Sequence, residues 1–139
     1  MSLPNSSAQN AISPAKAQDA RAAGLAVVYL VAPTTPPARR AAVAARSGGF
    51  LYCVSLVGVT GARTSLPAST GRLVKDVKAV SPVPVAVGFG VSKPAHVRAI
   101  AKAGADGVIV ASALVDALGP EGRDLAALGR LVSELRRAT

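Results

Sequence analysis

Three stretches of the chain run from apolar residues straight into glycine or serine, and ends of that kind can hold a small anion or a flat apolar group. They are residues 50–63 (FLYCVSLVGVTGAR), 83–90 (VPVAVGFG) and 107–112 (GVIVAS). Gly58 and Gly61 frame Val59 and Thr60 in the first, Gly88 and Gly90 flank Phe89 in the second, and Ala111 and Ser112 close the third. Glycine just past a strand either turns the chain or bares backbone N–H groups to a ligand. One such loop reads as an ordinary turn, whereas three in series point to one shared site. Backbone N–H groups, the Ser112 hydroxyl and a short helix opening at Ser112 suit a phosphate dianion without any lysine. Apolar side chains inside the rim would house an apolar group.

Acid–base chemistry has no comparable signal. The acids are Asp19, Asp76, Asp106, Asp116, Glu121, Asp124 and Glu134, and none stands where an apolar run ends; Asp106 precedes its strand. His96 is expected on the surface of a helix, and Cys53 is expected to be a small core residue of a strand. No catalytic residue is therefore assigned. Neither a metal site nor a cofactor is expected.

The elements that must position these ends follow from period and punctuation. Residues 1–13 are polar and aperiodic, which predicts a flexible arm, and residues 14–139 are expected to form one domain. A short helix over 15–23 is closed by Gly24, and residues 25–32 (LAVVYLVA) read as the first buried strand. Thr35 is a candidate N-cap and Pro36 a candidate first residue of a helix reaching Arg46, which Ser47, Gly48 and Gly49 end. The second strand covers 50–55 and leads into a loop of about a dozen residues containing Arg63 and Pro67. Leu73, Val74, Val77 and Val80 make one apolar stripe on a helix over 69–80. The third strand covers 83–87, and Ser92 is expected to cap a helix running to residue 103. Residues 108–110 make the fourth strand, followed by helices over 113–118 and 124–137. Strand and helix alternate four times, which calls for a parallel α/β sheet with right-handed crossovers and ligands at the carboxyl ends of its strands.

Half of the 139 residues are hydrophobic, enough for a sizeable core, yet no apolar run approaches the roughly 18 residues that cross a bilayer. No secretory signal is visible and the single cysteine fits a reducing compartment, so a cytoplasmic protein without membrane attachment is expected. The 16 basic and 7 acidic residues give a net charge of +9, which raises the question of nucleic acid. The basic residues are scattered over the expected helices, and two Tyr and two Phe are too few for stacking platforms. Nucleic-acid binding has charge alone in its favour.

Four motifs in order, LVAPTTP at 30–36, YCVSLVGVTGAR at 52–63, PVAVGFGVS at 84–92 and ADGVIVASALV at 105–115, resemble the carboxyl-terminal half of the tryptophan synthase alpha chain. The resemblance runs from Pro14 to about Ala138. It implies a parallel (β/α) half-barrel, strands five to eight of a (β/α)8 TIM barrel whose family reaction splits indole-3-glycerol phosphate into indole and glyceraldehyde 3-phosphate. By that similarity Gly61, Gly90, Ala111 and Ser112 correspond to the phosphate site, and Leu30, Tyr52, Thr60, Phe89 and Ile109 to the indole pocket. The implied partners are a small phosphorylated indole substrate and the tryptophan synthase beta chain.

Two departures accompany the resemblance. The family usually has glycine where this chain has Ala111, so a methyl either crowds the anion or meets an unsuitable backbone angle. No position matches the family's catalytic carboxylates, a glutamate on the second strand and an aspartate in the loop after it. The isolated chain is accordingly expected to lack lyase activity, and a non-catalytic phosphate-binding half-barrel or assembly module is the alternative. Open edges at 25–32 and 108–110, and an apolar inner face, predict association with the missing amino-terminal half or with a second copy.

Overall fold

The computed structural model describes residues 13–55 and 67–139; the expected arm and the glycine-framed loop, residues 1–12 and 56–66, lie outside them. The elements are α1 (Pro14–Ala22), β1 (Leu30–Val31), α2 (Pro37–Arg46), β2 (Leu51–Val54), α3 (Ala68–Val80), β3 (Val85–Gly88), α4 (Pro94–Lys102), β4 (Gly107–Val108), α5 (Ser112–Ala117) and α6 (Leu125–Arg136). The strands form one parallel sheet in the order β1-β2-β3-β4, as the alternation of elements requires.

Strand periodicity divides the side chains between two faces. Val31, Leu51, Cys53, Val85 and Val87 are buried against Ala44 of α2, Leu73, Val74 and Val77 of α3, Val97 and Ile100 of α4 and Leu135 of α6. The opposite face carries Leu30, Tyr52, Ala86 and Gly107 in one register row, with Val54 and Gly88 in the next. Helices therefore cover one side, and the other bears apolar side chains such as Leu30, which is 58% exposed.

The first strand is much shorter than the apolar run predicts. Only Leu30 and Val31 pair with β2, and Leu25 is 63% exposed. The cause is a competing set of partners at the end of α2. The Ser47 hydroxyl accepts from the Tyr29 N–H at 2.9 Å and donates to the Phe50 carbonyl at 2.6 Å, while the Gly48 N–H donates to the Val27 carbonyl at 2.8 Å. Val27 and the Tyr29 N–H thus bond to the turn after α2, while the Tyr29 carbonyl accepts from the Tyr52 N–H of β2 at 3.0 Å. The fourth strand, expected over 108–110, is Gly107–Val108, although the Ile109 N–H still donates to the Val87 carbonyl at 2.8 Å.

Two expected caps fall elsewhere. The N-cap of α2 is Pro36, and the Thr35 hydroxyl instead accepts from the Ala32 N–H at 3.0 Å, closing the exit of β1. The N-cap of α4 is Lys93, without a side-chain capping bond. The N-cap of α6 is Asp124, which the sequence placed inside the helix; its carboxylate accepts from the Ala127 N–H at 2.8 Å.

Asp106 works at the amino-terminal end of the sheet. Its carboxylate accepts from Lys78 Nζ at 2.7 and 2.8 Å and from the Val85 N–H at 2.7 Å, tying α3 to the start of β3. The Lys78 hydrogen bond first, and the Val85 N–H second, hold its pKa below the ordinary carboxylate range. A depressed folded-state pKa means that the unfolded chain binds the proton more readily. The contribution is therefore complete above the ordinary value and lost as pH falls through the folded one. Urea unfolding should show the parent losing stability more steeply on acidification than Asp106→Asn, with the gap between them closing at the lowest pH.

Candidate functional site

The carboxyl ends of β3 and β4 meet Tyr52 of β2 at a cleft of about 210 Å³. Tyr52 and Ile109 form its apolar side, Phe89, Gly90 and Val91 supply the exit of β3, and Ala111 and Ser112 supply the exit of β4. Six residues named from the sequence thus share one cavity: Tyr52, Phe89, Gly90, Ile109, Ala111 and Ser112. Leu30 lies on the same face of the sheet, in the Tyr52 register row, but does not line the cleft. Thr60 and Gly61 lie outside the described residues.

The Tyr52 ring reaches across the inner face because residue 88 has no side chain. A Cβ on Gly88 would stand 2.7 Å from Tyr52 Cζ, closer still to the hydroxyl, and 3.0 Å from Ile109 Cβ. The missing methyl is what brings an aromatic ring and a branched aliphatic side chain together at the cleft.

Beyond Gly88 the chain takes two left-handed residues in succession, Phe89 at φ +78° and Gly90 at φ +72°. Glycine accepts that angle freely, whereas in phenylalanine it costs about 1–3 kcal/mol and persists only where neighbours enforce it. Phe89 is also 66% exposed, so burial of its ring does not offset the cost. Among the described residues, the N–H groups of Gly90 and Ser112 have no acceptor, and both residues line the cleft.

At β4 the expected dipole contribution is weaker than the sequence suggests, because α5 has six residues and aligns few peptide units. Its N-cap is Ala111, and Ser112 is the first helical residue. Ala111 has φ −131° and ψ −76°, so its φ is negative and not the left-handed angle that favours glycine.

None of the seven carboxylates lines the cleft. Asp116, on α5, is exposed, and Asp106 is engaged at the opposite end of the sheet. Among the described residues no group of three His, Cys, Asp or Glu could hold a metal ion. No helix among them is long and apolar enough to cross a membrane.

Cys53 is buried on the helix-covered face, as expected of a small core residue. Burial pushes its thiol up to about 11, and the nearby Arg40 charge offsets only part of that. With so little thiolate, native Cys53 should react with Ellman's reagent only as fast as the chain opens. Labelling with and without denaturant checks this, and fast native labelling would refute it.

His96 contradicts its expected surface position. It is 2% exposed, on the inward face of α4 with Val97 and Ile100. The spacing of residues 96, 97 and 100 carried that signal, but the ring's polarity masked it. Val91, likewise unassigned from the sequence, is buried and lines the cleft.

Comparison with known proteins bears on this arrangement. The family model described as "Tryptophan synthase alpha chain" matches residues 3–137. A relative of that name from Picosynechococcus sp. is 47% identical over 117 residues, covering 83% of this chain and 44% of the relative. One from Arabidopsis thaliana is 50% identical over 101 residues, covering 73% and 37%. A mutant tryptophan synthase alpha-subunit from Pyrococcus furiosus superposes with a TM-score of 0.79 at 39% identity, over 98% of this chain and 52% of that one. A chain of the tryptophan synthase α2β2 complex from the same organism superposes at 0.76 with 40% identity, over 90% and 50%. This chain therefore spans about half or less of the length of the proteins it matches, and its sheet corresponds to half of their barrel.

Proposed function

Because the chain belongs to the tryptophan synthase alpha chain family, we propose that its cleft binds indole-3-glycerol phosphate, with the phosphate on the Gly90 and Ser112 rim and the indole against Tyr52 and Ile109. The observation that carries this reading is the pairing, in one cavity, of an apolar wall with N–H groups that have no acceptor among the described residues. N–H donors fixed in place bind a dianion without reorganising, and the Ser112 hydroxyl adds a rotatable donor. Gly61 and Thr60 are assigned to the phosphate and indole sides respectively by the family resemblance, as is Leu30 to the indole side. Phe89 stands at the mouth, where its exposed ring can close over a bound indole.

The acid and base of the family reaction are not among the residues at this cleft. In this reading the chain contributes the binding half of the site, and the proton-transferring carboxylates come from the amino-terminal half of a barrel. The apolar inner face that includes Leu30 and Tyr52 would pack against that half or against a second copy. The α2β2 assembly of the Pyrococcus furiosus protein supports a beta chain as a further partner. The alternative, a phosphate-binding module with no catalytic role, shares the cleft and differs only in whether carboxylates are ever supplied.

Titration calorimetry with glycerol phosphate tests the site. Saturable binding is expected, weakened by Ser112→Ala and abolished by Gly90→Val, since a β-branched residue does not accept φ +72°. Ala111→Gly should tighten it by removing the crowding methyl. Binding unchanged by the first two substitutions would overturn the assignment. Indole release on mixing with the amino-terminal half of a family member separates the enzymatic reading from the module.

A further inference from the structure

We infer that His96 is a positioning residue for the anion-binding rim, holding Phe89 and Gly90 in their left-handed conformation through the backbone of Ser92. This rests on the phosphate reading of the rim, but the conformational claim can be tested without it. The rim needs restraint on both sides, because phenylalanine does not keep φ +78° unaided. On the strand side, Gly88 is paired with Val54 and its carbonyl accepts from the Ser55 N–H at 2.9 Å. On the helix side, Val91 is sunk in the core and the Ser92 N–H donates to His96 Nδ1 at 3.3 Å.

That hydrogen bond fixes the state of the ring. Nδ1 accepts, so it carries no proton, and the neutral imidazole is protonated on Nε2. Nε2 is buried and has no hydrogen-bond partner among the described residues. A residue present only to fill space would avoid an orphaned donor, because an apolar side chain of similar size leaves no polar atom unpaired. What the ring provides and an aliphatic side chain does not is an acceptor, placed one helical turn from Ser92 on the rigid first turn of α4. His96 thereby couples the packing of α4 to the conformation of the cleft rim, without touching a ligand itself.

His96→Leu and His96→Asn separate this role from simple packing. Leucine fills the space without an acceptor, whereas Asn Oδ1 stands close to the position of Nδ1. In the Leu variant, amide exchange of Ser92 should accelerate, the backbone chemical shifts of Phe89 and Gly90 should move, and glycerol phosphate binding should weaken by roughly three- to tenfold. Its unfolding midpoint should hold or rise, since the orphaned donor is gone. The Asn variant should keep the parent's exchange and affinity. Equal behaviour of the two variants, or unchanged Phe89 and Gly90 shifts in the Leu variant, would overturn the inference.

The chain contains one histidine, so the imidazole ¹⁵N spectrum of the unmodified protein reports this ring alone. Its neutral form should be the Nε2–H tautomer; the Nδ1–H tautomer would refute the proposal even if no variant folds. If the parent fails to bind glycerol phosphate, the phosphate reading falls, and the exchange and tautomer measurements still decide the role of His96.

Discussion

The purified 139-residue chain should release no indole from indole-3-glycerol phosphate above the uncatalysed rate. Cleavage of that carbon–carbon bond moves protons on and off the reacting atoms, and each general acid or base contributes roughly 10²- to 10⁴-fold. Without both, the deficit is roughly 10⁴- to 10⁸-fold, well within reach of an indole assay. The groups that remain at the cleft are N–H donors, a hydroxyl and apolar walls, which bind a substrate without transferring its protons. Asp116 is the carboxylate nearest in sequence to the Ser112 rim, but it is exposed on α5 and does not line the cleft. Activity that copurifies with the chain and disappears in Asp116→Asn would show that this residue turns inward and that the assignment of no catalytic group is wrong. Activity that appears only on adding an amino-terminal half-barrel would instead locate the missing carboxylates there.

Gly88→Val should lower stability by about 1–3 kcal/mol and close the apolar side of the cleft, because it forces a branched side chain into space already occupied. The first added carbon alone would lie 2.7 Å from Tyr52 Cζ and 3.0 Å from Ile109 Cβ, and both neighbours belong to paired or ladder-bonded strand segments. The Tyr52 ring must then swing away from the wall on which an indole would rest. Thermal unfolding in a double-mutant cycle measures the cause directly. In a Tyr52→Ala background most of the Gly88→Val penalty should vanish, since the colliding ring is gone. An undiminished penalty in that background would place the strain at Ile109 or in the backbone of β3.

Helix and strand order was legible in the residues because both periods are local. The stripe Leu73, Val74, Val77 and Val80 defines α3, and the unbroken apolar runs define β2 and β3 whatever lies around them. The strand exits were legible for a related reason, since glycine and serine directly after an apolar run mark where a strand stops and where backbone N–H groups become available. Three such exits, in the order and spacing of one family, named six of the seven residues that line the cleft, Val91 being the exception.

What the linear order of residues could not decide depends on partners far along the chain. Residues 25–29 have strand composition, yet Gly48 takes the Val27 carbonyl and Ser47 the Tyr29 N–H, so β1 stops short; the bond from Tyr29 to Ser47 spans 18 positions. His96 looks like a solvated polar residue of a helix until the exit loop of β3 folds back and offers Ser92 as its partner. Gly88 reads as one more turn glycine, and only the parallel register that sets Tyr52 and Ile109 on either side of it makes it the vacancy that shapes the cleft. Local periodicity determined which elements form and in what order. Tertiary packing decided which polar groups are used up and which are left facing a ligand, because a hydrogen bond already made inside the fold is no longer available to one.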